Sequence, residues 1–331
     1  MEMSPNSPLP FLAMVHWTGA QNQHPSATTL FSVADATPLG GGVRHGLEEE
    51  LKNKSLCPTA QGWILVHEPE AATTYLLDAQ SRQRIQLPDL AMEQRLIPYC
   101  SCLLAGAPTA AGCLVLLVEP AAAFIWYCRV GGGDWTKHEY DIGTAGDEYR
   151  ADKKLIAPIA AYRGRFYFNA MATEMSVLEL RPGAGLAFSS VATELADAER
   201  YKQALVFMVR TDEEEEEDLY KVVLLHNGGG FDKAKVFRMD FSEHRWCLVD
   251  DLGGRAFFVG QMYFGASCVP VAGDGIRRNC VYSLVAAKNT FRIFNLKEGT
   301  LEVQNLAPYE PMLETVGKSR LSWVLPTHPR A

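Results

Sequence analysis

The sequence predicts an all-β fold: a ring of about six four-stranded sheets, closed by strands from the two ends of the chain. Three observations carry that expectation. Short apolar runs bounded by turn formers fill the chain, with few amphipathic helical stretches between them. A strand, polar turn, strand unit recurs at near-regular spacing. Apolar segments rich in aromatics stand at both ends, at 10–17 and 320–325.

The strand-like runs are 63–67, 74–77, 113–118, 124–128, 165–168, 176–180, 204–209, 220–226, 236–239, 255–259, 280–284 and 290–294. Each is rich in β-branched, aromatic or Leu residues and is bounded by Gly, Pro, Asn or Asp. Two stretches have helical character, 46–53 and 194–203, and read as connections and not as layers. So many strands without alternating helices argue against a doubly wound α/β fold.

The recurring unit is a hairpin whose first strand ends in a polar turn former. Its corners fall near Asp35, Asp78, Arg129, Glu179, Asp240 and Asn295, 43 to 61 residues apart. The longest interval contains the acidic run 212–218. Kelch blades repeat at about 50 residues and WD-type blades at about 40–45. A four-stranded blade cannot bury both of its faces alone; standing blades in a ring does so. The expected fold is therefore a kelch-like β-propeller over 10–326, with an acidic insertion at 211–218, a disordered tail at 1–9 and a short tail at 327–331. Ring closure is assigned to the terminal segments, because both carry aromatics of the buried kind.

Composition narrows the function classes. The chain has 331 residues, 47% hydrophobic and 21% charged, with net charge -8 and pI near 5.6. Nucleic-acid binders usually carry a basic stripe and a high pI, so nucleic acid is not expected as a partner. No window is long and apolar enough for a membrane span, and the N-terminus lacks a basic then apolar leader. A soluble protein of the cytoplasm, the nucleus or both is expected. The eight cysteines lie mostly in apolar runs and form no Cys-x-x-Cys, which predicts reduced core thiols and not disulfides or a metal framework.

Catalytic patterns are weak. Gly265-Ala266-Ser267-Cys268-Val269 fails the nucleophile-elbow pattern at its last position. The glycine clusters 40–42, 131–133 and 228–230 lack phosphate-loop spacing and read as turns. The eight histidines show no metal spacing; His138 and His244 read as surface residues. No catalytic residue, metal or cofactor is expected. Glu68/Glu70 and Asp250/Asp251 keep open a propeller hydrolase or lyase with acids at the channel mouth. The run that includes Glu214 and Glu215 is too self-repelling to pack and reads as a solvated loop able to meet a basic partner. Arg277 and Arg278, beside Gly273 and Gly275, form an exposed basic turn. Affinity for a protein partner comes from a few aromatic or Arg anchors. The candidate contact residues are thus Arg277, Arg278, Trp135, Glu214 and Glu215.

The ordered series also resembles a known family. It comprises Gly62-Trp63-Ile64-Leu65-Val66, Leu76-Leu77, Ile85-Gln86-Leu87-Pro88, Trp135 after a glycine-rich turn, and Tyr162-Arg163-Gly164-Arg165-Phe166-Tyr167. Trp246 before Val249 and Leu252-Gly253, then Arg255-Ala256-Phe257-Phe258-Val259-Gly260, Asn279-Cys280-Val281-Tyr282 and 291–295 complete it. From about Pro10 to Pro326 the chain resembles the plant KIB-type β-propellers, a former domain of unknown function related to F-box and kelch proteins. A propeller without a catalytic or metal pattern is expected to be a non-enzymatic interaction module, an adaptor or regulatory propeller that binds a protein through its loop face. Many members open with an F-box that docks a Skp-type ubiquitin-ligase subunit. This chain begins close to the first propeller strand, so a Skp-type partner is not expected, and a ligase receptor stays a second alternative. Asp78-Ala79 replaces the family's Asn-Pro, and Ser283-Leu284-Val285 replaces its acidic pair.

Overall fold

The computed structural model describes residues 10–18, 24–39, 43–110, 112–145, 152–169, 171, 173–181, 185–195, 204–211, 217–226, 231–284, 289–308 and 319–327. They form the expected ring of six blades. Blade 1 holds β1 (Phe11–Thr18) and β2 (His24–Ser32), followed by helix α1 (Val43–Leu51). Blade 2 is β3 (Ser55–Pro58), β4 (Trp63–Glu68), β5 (Thr73–Asp78) and β6 (Arg84–Leu87). Blade 3 is β7 (Ser101–Ala105), β8 (Leu114–Val118), β9 (Phe124–Arg129) and β10 (Thr136–Glu139). A small pair, β11 (Thr144–Ala145) and β12 (Asp152–Lys153), stands between blades 3 and 4.

Blade 4 is β13 (Ile159–Tyr162), β14 (Arg165–Phe168), β15 (Glu174–Arg181) and β16 (Gly185–Ala192). The short β17 (Glu194–Leu195) then pairs in parallel with the outer strand of blade 5. Blade 5 itself is β18 (Ala204–Thr211), β19 (Asp218–His226), β20 (Phe231–Asp240) and β21 (Arg245–Val249). Blade 6 contains β22 (Ala256–Val259), β23 (Gly265–Cys268), β24 (Cys280–Ser283), β25 (Thr290–Asn295) and β26 (Thr300–Asn305). Last comes β27 (Ser319–Val324), which returns to blade 1 and pairs with β1, Phe11 opposite Val324 and Met14 opposite Leu321.

Three blades depart from four strands. In blade 1 the corner at Asp35 leads to no fourth strand; α1 packs on β2 instead, burying Leu47 and Leu51. The Glu48 carboxylate accepts the Leu30 N–H at 2.9 Å, which occupies a group that a strand would have paired. The expected helix at 46–53 is thus real but is no mere connection: it covers a sheet edge. The other expected helix, 194–203, begins instead as β17, and 196–203 lie outside the described residues. In blade 6 the order is β23-β22-β24-β25-β26, with β22 and β24 parallel. The 269–279 loop makes that crossover.

The inner strands of every blade are buried on both faces, and the alternation of side chains along a strand explains how. In β4, Ile64 and Val66 join Phe11, Val15 and Leu56 between blades 1 and 2. Trp63 and Leu65 point the other way, to Cys102, Val115 and Leu117 of blade 3. The same division recurs around the ring: Leu116 meets Phe166 between blades 3 and 4, and Tyr167 meets Trp246 between 4 and 5. Val222 meets Phe257 between blades 5 and 6, and Tyr282 meets Trp323 between 6 and 1. Six apolar seams result, one per blade junction.

Three of the six corners named from the sequence are side-chain-locked turns. Asp78 Oδ1 accepts the Gln80 N–H at 2.8 Å, Asp240 Oδ1 the Ser242 N–H at 2.9 Å, and Asn295 Oδ1 the Glu298 N–H at 3.0 Å. Glu179 does not stand at a corner: it lies within β15, opposite Ala187, and the hairpin turns a few residues later. The closing seam needs a glycine. Gly62 has φ +83°, and a Cβ there would stand 2.5 Å from the Pro326 carbonyl oxygen. Thr327 Oγ1 then donates to Asp78 Oδ2 at 3.0 Å, which ties the C-terminal segment to blade 2.

Trp323 is the centre of the closing seam. It is fully buried, stands edge-on to Phe258, Tyr282 and Phe291, and its Nε1–H donates to the Val259 carbonyl at 2.9 Å. Trp323→Ala is expected to lower unfolding free energy by about 3–5 kcal/mol in urea melts. Trp323→Phe keeps most of the packing and removes one of the two hydrogen bonds that the Val259 carbonyl accepts, the Leu284 N–H remaining at 2.9 Å, and should cost about 0.5–1.5 kcal/mol.

Candidate functional site

The residues singled out in the sequence are not brought together. Trp135 is 9% exposed, packs in the seam between blades 2 and 3, and donates from Nε1 to the Pro88 carbonyl at 2.9 Å. Its ring is taken up by the core and offers no surface anchor. Glu214 and Glu215 lie outside the described residues; of their run, Glu217 accepts the Arg163 N–H at 3.1 Å, and Asp218 pairs Arg238 at 3.8 Å. Arg277 and Arg278 are exposed, on the loop between β23 and β24.

That loop is built firmly. Asp274 is buried, and its two carboxylate oxygens accept the Val271 N–H at 2.7 Å and the Ile276 N–H at 2.8 Å. Ile276 enters the seam between blades 6 and 1. Gly275, φ +71°, lies so close to Ala34 that a Cβ would stand 2.2 Å from the alanine methyl. The Tyr282 hydroxyl accepts the Arg277 N–H at 2.8 Å, and the Arg277 guanidinium pairs Glu302 at 2.7 Å. Outside this frame Val269 and Val271 stand 48% and 58% exposed. The surface therefore combines two apolar side chains and two guanidiniums on a backbone that is already ordered. The sequence marked the arginines but not the valines, since nothing local says that a Val-Pro-Val stretch faces outward.

The β18–β19 hairpin ends at the same side of the ring, because Ser267 Oγ donates to the Arg210 carbonyl at 2.9 Å and sets the ends of β18 and β23 side by side. At the opposite end of β23 the chain makes the turn Gln261–Tyr263, in which Met262 and Tyr263 have φ of +54° and +57°. Ser101 Oγ donates to the Met262 carbonyl, so this turn crosses from blade 6 to blade 3, halfway round the ring.

Other groups of chemical interest are held in the core. Burial raises the thiol pKa of Cys128 and Cys268 to about 12 and pushes Cys100 and Cys102 up as well. All eight cysteines are free, and seven are buried. Among the described residues no three His, Cys, Asp or Glu side chains converge to hold a metal. Lys221 is 3% exposed, its Nζ 4.5 Å from the Trp246 ring centroid; burial lowers its pKa from 10.5 to about 8.

Two measurements follow from these environments. Thiolate is the reactive form, so alkylation of the native protein should modify Cys247 alone, and all eight cysteines once denaturant is added. Lys221 opposes folding while protonated. The penalty is complete below its folded pKa and fades as pH rises from 8 to 10.5. Lys221→Met should therefore stabilise by about 2–3 kcal/mol at pH 7, and the gain over wild type should shrink across that window in melts at stepped pH.

The family comparison agrees with the fold. No curated protein matches the chain at a significant level. Among solved structures, a triple-arginine mutant of AofleA from Arthrobotrys oligospora aligns over 95% of this chain and 90% of its own, with 10% identity and a TM-score of 0.36. Apo AztD from Citrobacter koseri aligns over 95% and 98%, with 6% identity and a TM-score of 0.34. The family model for the KIB1-4 beta-propeller matches residues 30–304, which spans blades 1 to 6. The chain belongs to the KIB1-4 beta-propeller family.

Proposed function

We propose that the chain is a non-enzymatic protein-interaction module, an adaptor or regulatory propeller that holds a protein partner on the face bearing the 269–279 loop. The observation that carries the reading is the pinned loop itself. Asp274, Ile276 and Gly275 fix its backbone, while Val269, Val271, Arg277 and Arg278 point outward. A loop ordered in advance loses little conformational entropy on binding, so its contacts go further toward affinity. Half-exposed apolar groups flanked by arginines suit a partner with a small apolar patch and carboxylates around it. The Arg277–Glu302 pair is solvent-exposed on both sides, and such a pair is worth little, so a partner carboxylate can replace Glu302.

The test is affinity purification of tagged protein from extract of its own source, wild type against Val271→Asp and Arg278→Glu. Both variants should melt like wild type, within about 0.5 kcal/mol, because the substituted side chains face water. Each should lose the same set of partners, and a partner isolated that way should bind Arg278→Glu at least about tenfold more weakly. Unchanged partner lists for both variants would remove this face from consideration.

A further inference from the structure

Along the axis the six inner strands enclose a cavity of about 60 Å³ whose described walls include Arg210 and Arg320 but no Asp or Glu. Arg320 reaches it from β27. Its guanidinium lies over the Tyr99 ring, 4.8 Å from the centroid, and its Nη1 is buried without a hydrogen-bond partner. Burial pushes its pKa below the ordinary guanidinium value, and the groups that pull the other way are Cys57, Tyr99 and Cys100. Arginine keeps its proton even so. A partly buried positive charge is thus held on a half-exposed ring, with one buried donor unused. Buried charge is unfavourable unless paired, and an unmet buried donor of this kind needs a physical account.

A second chamber, about 520 Å³, adjoins the first and has mostly apolar walls, among them Leu96, Tyr99, Leu205, Phe207 and Tyr263, with Glu119 also present. Its size is that of ordinary small-molecule sites. Tyr99 connects the two: it lines this chamber and carries the Arg320 guanidinium on its ring. The Gln261–Tyr263 turn belongs to the walls of both. It is held across the channel by the Ser101–Met262 hydrogen bond and contains two successive side-chain-bearing residues in the left-handed region. Strain of this sort collects at ligand clamps and switches.

We propose that the axial channel binds a small monocarboxylate with an apolar body, its carboxylate on Arg320 and its body in the outer chamber against Tyr99, Phe207 and Tyr263, with the Gln261–Tyr263 turn as the gate. One uncompensated guanidinium matches one negative charge, and its planar fork fits a carboxylate. A phosphate dianion requires more charge and more donors than the one free Nη1 of Arg320 supplies. The site lies at the end of β23 opposite the 269–279 loop, so it stands or falls independently of the protein-binding face.

Titration calorimetry on the whole chain tests this with octanoate, octanol and inorganic phosphate. Octanoate should bind at least about tenfold tighter than octanol, and phosphate at about 1 mM should not compete. Arg320→Met should bring octanoate and octanol within about twofold of each other and should melt no lower than wild type, since an unpaired buried charge has gone. If that variant does not fold, Arg320→Lys, which loses the planar fork, should show the same loss of preference in smaller measure. Ser101→Ala should speed octanoate association severalfold while leaving the octanoate-to-octanol ratio unchanged. Equal affinity for octanoate and octanol, absence of octanoate binding at about 1 mM, or phosphate binding as tight as octanoate would each overturn the carboxylate site. An unaltered association rate in Ser101→Ala would overturn the gate.

Discussion

Every blade of this protein is a sheet with two apolar faces, and a sheet of that kind cannot stand in water by itself. Hydrophobic burial grows with area removed from solvent, about 25 cal/mol per Å², so each blade is stable only between two neighbours. A line of such sheets always leaves two faces bare; a ring leaves none. The six seams follow from that constraint, and so does the need for closure. β27 pairs with β1 because blade 1 and blade 6 otherwise present Leu12, Met14, Phe258 and Tyr282 to water.

Closure also explains the irregular parts. A propeller buries faces but leaves outer edges, and an open edge offers unpaired backbone groups to any passing strand. In blade 1 the edge is covered by α1, with Glu48 on the Leu30 N–H. In blade 5 the same need is met by β17 along β21. The crossover in blade 6 creates the 269–279 loop at one end of β23 and the Gln261–Tyr263 turn at the other. One local change of strand order thus produced both surfaces of functional interest, a firm loop outside the ring and a strap across its axis.

The inner strands crowd the axis, which leaves little room and little water there. Polar groups caught in that region must find partners among themselves. Ser267 does so on Arg210, and Ser101 on Met262. Arg320 has the Tyr99 ring but keeps an unmatched Nη1. The cysteines lining the same region are apolar filler: desolvation holds Cys100 and Cys102 in the thiol form.

Much of the fold was legible before any coordinates. Continuous apolar runs such as 114–118 announced strands buried on both sides, and Asp78, Asp240 and Asn295 announced corners, because their short polar side chains hold the turn locally. Tyr-Arg-Gly-Arg at 162–165 is likewise a hairpin that its own residues dictate. The candidate site was far less legible. Trp135 looked like an anchor, yet the orientation of an aromatic after a glycine turn depends on which blade stands beside it.

Local sequence determined the strands, their turns and the number of repeats, since these rest on interactions spanning a few residues. Tertiary structure alone decided that α1 replaces a strand, that blade 6 reverses two of its strands, and that Arg320 and Tyr99, some 220 positions apart, stack on one another. Those outcomes depend on contacts made only when the ring shuts, and the pattern within any one segment carries no record of them.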